Sequence, residues 1–358
     1  MLSILAALLL LAILIVIHEL GHFWAARMAG IEVSEFGVGF GPRIFGWKSR
    51  KHGTDFVVRA IPLGGYNAFY GENRGEKSVD PEDPKLFSNQ NVWKRMFVVV
   101  MGPLMNLLLA FVLATGYYWA NGISTVTGAD PYISGVNAAG PAWDAGLQAG
   151  DIITEINGRN MLDGTMETLL ETIGNYREGQ DPLQMTVLRG EETLHLEITP
   201  IWNEDESRMM VGVTIGGRYR TDTKGTDLIG AAGASAEMCW RAGGMILSAL
   251  KDLVTTGKGL ENTSGPVGVI SIVSSEVRTG GFQAFLELLI TISINLGLMN
   301  LLPVPGLDGS KLIFGLIEVI RGKPVPPERE ATVNLVGIVI LLILMVVLTF
   351  HDVMNLIR

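Results

Sequence analysis

Apolar residues fill positions 1–17 with Ser3 as the single break, and a helix continued through His18 to Met28 can cross a hydrocarbon core of about 30 Å. A cleaved signal peptide is the alternative. It fits poorly, because no basic region precedes the stretch and its apolar part exceeds the roughly 7–15 residues such a peptide uses. Three more apolar runs of helical length follow: 96–120, interrupted by Gly102-Pro103 and Asn106, then 282–302, then 331–350. Four spans place both termini on one side. Between the first two runs the pattern shortens to alternating stretches, 32–40, 42–48 and 54–66, broken by Gly37, Gly39, Gly41, Gly53 and Gly64-Gly65. This predicts a small β-sheet or a pair of hairpins, with a packed cytoplasmic cap as the bland alternative.

The long segment between the second and third spans reads as a soluble domain. It predicts a helix over 165–176 and strands over 183–189 and 193–200. A further apolar-rich helix covers 228–253, where Glu237, Arg241 and Lys251 argue against a fifth span and for an amphipathic element on the outer membrane surface.

Composition supports a membrane class, with 48% hydrophobic residues and a mean hydropathy of +0.35. The net charge of -9 is uneven, because the acidic residues gather between about 130 and 276. Lys and Arg are retained in the cytoplasm. The 23–92 stretch carries nine of them, including Arg43, Lys48, Arg50, Lys51 and Arg59, and the link between spans three and four adds Arg321, Lys323 and Arg329. The termini and the acidic domain are therefore expected to face outward. Cys239 is the only cysteine, which excludes an intramolecular disulfide and a four-cysteine metal site. No Lys/Arg-rich face with interleaved aromatics suggests a nucleic-acid partner.

The chemistry gathers at His18-Glu19-Leu20-Gly21-His22, an HExxH motif at the end of the first span. Residues four apart on a helix advance about 400°, so both imidazoles leave one face and can grip one zinc. Glu19 can then act as general base on a zinc-activated water. Ionisable groups in an apolar span are costly and usually face an interior site or a water-filled cavity. A catalytic zinc needs a third protein ligand. Of the remaining histidines, His52 sits in the basic segment, His195 in the acidic domain and His351 at the outer end of span four. Asp308 is better placed, since span three enters from outside and ends near Leu302 in the half that holds His18 and His22. Pro303 and Pro305 break the helix, and Gly306 and Gly309 flank the acid. Locally, an Asp between glycines is an ordinary turn residue. The missing ligand favours the metal role.

These residues, together with GFGP at 39–42, IPLGGY at 61–66, GPLMN at 102–106, SGPVGV at 264–269 and NLLPVPGLDG at 300–309, resemble the site-2 protease family of intramembrane zinc proteases. The likeness is greatest to its bacterial regulator of sigma-E branch. It implies a polytopic α-helical membrane protein with four transmembrane helices, a membrane-reentrant β-loop and an inserted α+β PDZ domain, signed by AGLQAGDIITEING at 145–158. The expected layout is a first transmembrane helix over 1–30, the β-loop region over 31–92, a second helix over 93–120 and the PDZ domain over 124–215. An outer-surface helix and connector over 226–280, a third transmembrane helix with the LDG motif over 281–320 and a fourth over 331–351 complete it.

By the same resemblance His18, His22 and Asp308 are zinc ligands and Glu19 is the catalytic acid/base. The β-loop, with Gly64, Gly65 and Tyr66, offers a strand edge to substrate, and Asn295 and Asn300 hold substrate near the site. Interhelical hydrogen bonding is the other reading for these two asparagines. The PDZ domain either binds a peptide or protein ligand or excludes bulky substrates. Two features depart from the family pattern: there is room for one PDZ module rather than two, and Ser310-Lys311 follows LDG where Gly-His is common. Lys311 is expected to pair with Asp308 or to point to lipid headgroups.

The function implied is hydrolysis of peptide bonds within or near the span of single-span proteins, such as anti-sigma factors or signal-peptide remnants, in a bacterial inner membrane. A metal-binding transporter is a rival, but it gives Glu19 no task and lacks an inverted repeat. The intact HExxH and Asp308 argue against an inactive PDZ scaffold.

Overall fold

The structure is a computed structural model describing residues 2–51, 53–70, 83, 85–138, 140–162, 166–204, 208–256 and 265–357; His52, Thr165 and Ser264 lie outside the described residues. The chain forms two compact units, Met1–Asn121 with Thr226–Arg358, and Gly122–Gly225.

The first unit begins with α1 (Leu2–Ala29), two long strands β1 (Val33–Lys48) and β2 (Asp55–Phe69), and α2 (Val92–Asn121). The strands pair twice. Residues 35–38 lie between 65–68 and 55–58, and 55–58 pairs on its other side with 45–48. Two bent strands thus make a four-stranded antiparallel arrangement, in which Gly37, Gly39, Gly41 and Gly64-Gly65 fall within strands whose register shifts along their length, while Gly53 lies in the turn between them. Phe23 of α1 meets Phe36 and Phe56 of the sheet with ring centroids 5.7 and 5.6 Å apart. Edge-to-face packing of this kind fixes the sheet on the helix.

The second unit contains β3 (Ile123–Val136), the single-turn α3 (Pro141–Asp144), β4 (Ile152–Ile156), β5 (Arg159–Asn160) and α4 (Met166–Gly174). It continues with β6 (Leu183–Arg189), β7 (Glu192–Ile198), β8 (Ile201–Asn203), β9 (Arg208–Met210) and β10 (Val213–Lys224). Its main sheet runs β10-β3-β4-β6-β7, all antiparallel. Ile133, Ile153, Ile156, Leu169, Met185 and Val187 form its buried core.

The chain returns to the first unit with α5 (Leu228–Thr256), α6 (Pro266–Leu301), α7 (Asp308–Arg321) and α8 (Pro327–Ile357). Among the described residues four helices are long and apolar enough to cross a membrane: Ser3–Ala29, Val92–Asn121, Pro266–Leu301 and Pro327–Met354. At 36 residues α6 is too long for one span, since 1.5 Å per residue gives about 54 Å. It is broken at Gly281, whose backbone is non-helical at φ 60° and ψ -140°. Val273 and Leu289, on either side of that break, join Ala7, Leu10 and Leu14 of α1 in one buried cluster. Val269 and Ile292 line one groove. The chain therefore folds back at Gly281, and 266–280, expected as connector, is a helix against α1. Met238, Cys239, Ala242 and Ile246 of α5 pack against α2 and the later half of α6.

α1 and α2 approach closely where glycine is needed. A methyl group on Gly102 would overlap the His22 ring, and one on Gly21 would overlap the Met101 carbonyl.

Candidate active site

The pitch of α1 sets His18 and His22 side by side, with their Nε2 atoms 3.2 Å apart. Asp308 opens α7 after the Pro303-to-Leu307 turn, and its Oδ2 lies 3.1 Å from His18 Nε2 and 3.3 Å from His22 Nε2. Among the described residues these three form the one cluster of His, Cys, Asp or Glu side chains able to hold a metal ion. Donors about 2.0–2.1 Å from a tetrahedral zinc lie ~3.3–3.4 Å from one another. The observed triangle matches those edges, and two imidazoles with a carboxylate suit zinc chemically. The three residues fit the metal, and all three border one small cavity.

Outer contacts orient this set. His22 Nδ1 is 2.9 Å from the Val98 carbonyl oxygen. With the proton on Nδ1 donated there, Nε2 keeps its lone pair. Pro103 lies inside α2 and removes the helical donor for the Val99 carbonyl, loosening this turn. His18 Nδ1 lies 3.4 Å from the Asn106 amide nitrogen. Asn106 is fully buried, and its Oδ1 has no partner. Turning the amide so that Oδ1 accepts from a protonated Nδ1 satisfies both groups and gives His18 the same tautomer as His22. Ser293 holds Asn106 in place by donating to its carbonyl at 2.7 Å.

Glu19 faces the same cavity, a space of about 190 Å³ bordered by His18, His22, Asp308 and the β2 residues Gly65, Tyr66 and Asn67. Asn67 donates its amide to Glu19 Oε2 at 2.7 Å and to the Glu19 carbonyl at 2.9 Å. The Asn67 Oδ1 is buried with no partner. Tyr66 gives its hydroxyl proton to Glu35, which also accepts from Arg59 Nη2 at 2.8 Å.

The other sequence candidates are placed differently. Gly64 borders a separate apolar groove with Leu11, Ile15 and α8. Asn295 is exposed and Asn300 half-buried on α6, and neither borders the cavity around the histidines. Lys311 borders that cavity but makes no ion pair with Asp308. Asn67, Val98 and Asn106 escaped the sequence reading as site residues. Asn106 closes the GPLMN motif and Asn67 follows IPLGGY directly, so the motifs held the signal without the contact.

The Peptidase family M50 profile matches residues 6–344. The regulator of sigma-W protease RasP of Bacillus subtilis is 30% identical, covering 99% of this chain and 99% of that protein. The zinc metalloprotease RasP of Bacillus licheniformis is 28% identical, again covering 99% of each. Among solved structures, the PDZ domain of an SdrC-like protein from Listeria monocytogenes is 25% identical over 25% of this chain and 92% of that one, with a TM-score of 0.23.

Proposed function

We propose that this chain, which belongs to peptidase family M50 and is an intramembrane zinc metalloprotease, holds its zinc with His18, His22 and Asp308 and uses Glu19 as catalytic acid and base. The observation that carries this is the triangle of three donor atoms at 3.1, 3.2 and 3.3 Å beside a carboxylate in one small cavity. Zinc, when bound, supplies Lewis-acid polarisation of the scissile carbonyl and of the attacking water. Glu19 takes the proton of that water and passes it to the leaving nitrogen. Asn67 aims the carboxylate, and its free Oδ1 is an acceptor for a substrate amide.

Residues 64–69 of β2 run beside Glu19, and an unwound substrate pairs with this strand by edge addition. The exposed Phe40, Ile44, Phe45 and Trp47 of β1 support burial of the sheet's outer part in lipid. Gly64, Asn295 and Asn300 then serve substrate before it reaches the cavity. The charge asymmetry supports extracytoplasmic termini and an extracytoplasmic acidic unit, read as a PDZ-type module for a peptide or protein ligand. Single-span membrane proteins, anti-sigma factors and signal-peptide remnants among them, are the substrate class. The name of the Bacillus subtilis relative points the same way.

The test compares the purified chain with Glu19→Gln and Asp308→Ala on a single-span substrate, with zinc measured on each. Glu19→Gln is expected to keep its zinc and lose cleavage by about 10²–10⁴-fold, and Asp308→Ala to lose zinc. Parental cleavage by Glu19→Gln would remove it from the chemistry, and parental zinc in Asp308→Ala would remove that ligand.

A further inference from the structure

A larger cavity of about 450 Å³, bordered by Arg95, Met96, Phe314, Glu318 and Asn334, adjoins the metal cavity. Val99 and Lys311 border both. Lys311 follows Asp308 by one helical turn on α7, so the two project from one face. The fixed carboxylates nearby are already engaged: Asp308 by the two histidines, Glu19 by Asn67 and Glu318 by Arg95, while Glu330, which also borders the larger cavity, has a partner of its own. Among the described residues the exposed Lys311 ammonium makes no hydrogen bond or ion pair. A lone cation thus borders both cavities.

Hydrolysis creates an anion that the substrate did not have. The C–N bond breaks, water supplies oxygen to the carbonyl carbon and a proton to the nitrogen, and the new acid ionises. The N-terminal fragment then ends in a carboxylate, itself a good zinc ligand, inside a small cavity that also holds the carboxylates of Glu19 and Asp308. A second cation within reach offers this carboxylate a partner other than the metal.

We propose that Lys311 binds this newly formed carboxylate and draws it from the metal cavity into the larger one, making product release a step this residue controls. The inference rests on the zinc-site reading for the source of the carboxylate.

The test uses the product peptide, identified by mass spectrometry of a cleaved single-span substrate and synthesised with either a free carboxylate or an amide at its C-terminus. Binding of each is measured on the full chain in detergent, zinc-loaded and zinc-stripped, for the parent, Lys311→Gln and Lys311→Arg. The stripped protein removes the metal's own attraction for carboxylate, so the result is independent of which residues hold zinc. There the parent is expected to prefer the carboxylate form by roughly five- to tenfold. Lys311→Gln should lose that preference and Lys311→Arg keep it. Lys311→Gln should also slow steady-state turnover while its single-turnover rate stays within about twofold of the parent. Equal carboxylate preference in all three proteins overturns the assignment, as does a single-turnover rate that falls in step with steady-state turnover.

Discussion

Asn67 shows how a single side chain sets a reactive group. Its amide spans the Glu19 carbonyl and carboxylate, so Glu19 is tied to β2 as well as to its own helix. Outer partners of metal sites are commonly worth 10- to 100-fold in activity or affinity; Asn106 lies against His18 and Asn67 against Glu19. Asn67→Ala is expected to lower kcat by roughly ten- to a hundredfold with bound zinc unchanged, because it frees Glu19 and leaves the ligands alone. Kinetics on a single-span substrate with parallel zinc analysis read both quantities. A variant that lost zinc instead would show that Asn67 supports the metal rather than the base.

At the scale of elements, α8 stands out as the least buried of the apolar helices, with most of its large side chains exposed. Two polar clips hold it. Near its start, Asn334 Oδ1 accepts from the Ser310 hydroxyl at 3.0 Å and from the Gly306 amide at 3.4 Å, steadying the turn that delivers Asp308. Near its end, the buried Asp352 accepts from the Gly265 and Gly268 amides at 3.2 and 2.8 Å. That places a carboxylate on the positive end of α6. Between the clips lies an apolar groove of about 420 Å³, bordered by Leu11, Ile15, Ile292, Leu344 and Met345. Asp352→Ala should cost about 1–2 kcal/mol and lower the thermal midpoint by a few degrees in detergent while leaving zinc content unchanged. An unchanged midpoint would mean that the lipid-facing packing of α8 suffices without the cap.

At the scale of the molecule, Gly122–Gly225 is a unit with its own core, and its stability has its own pH dependence. Asp151 is fully buried. Burial pushes its carboxyl up, but the bidentate Arg189 pair at 2.8 Å and the Gln148 amide outweigh that and hold it below the ordinary carboxylate range. A depressed folded value contributes stability above the unfolded value of about 3.9 and loses it as pH falls through the folded one. A 122–225 fragment is therefore expected to unfold cooperatively in urea, with a midpoint that drops between roughly pH 5 and pH 3. Asp151→Asn should be less stable at neutral pH and flatter across that window. A parent midpoint with no acid limb would show that the pair contributes nothing.

The features that the sequence determined alone are those set by local geometry or by solvent. Helical pitch places His18 and His22 on one face wherever the helix sits, and a hydrocarbon surround demands long apolar runs, so four helices long and apolar enough to cross a membrane could be read directly. Asp308 could be singled out because two histidines leave a catalytic zinc one protein ligand short, and the fold brings its carboxylate to His18 across 290 positions. Tertiary structure decided the rest. No local pattern says that 35–38 pairs on both sides, that Val98 offers its carbonyl to His22, or that Asn67 reaches Glu19. The same holds for 266–280, whose helix is fixed by Val273 packing on α1 after the reversal at Gly281. The exposure of Asn295 and the half-burial of Asn300 are likewise set by which faces of α6 pack, not by the residue type at those positions. Periodicity and polarity are properties of the chain, whereas a hydrogen bond between distant residues exists only once packing has chosen which surfaces meet.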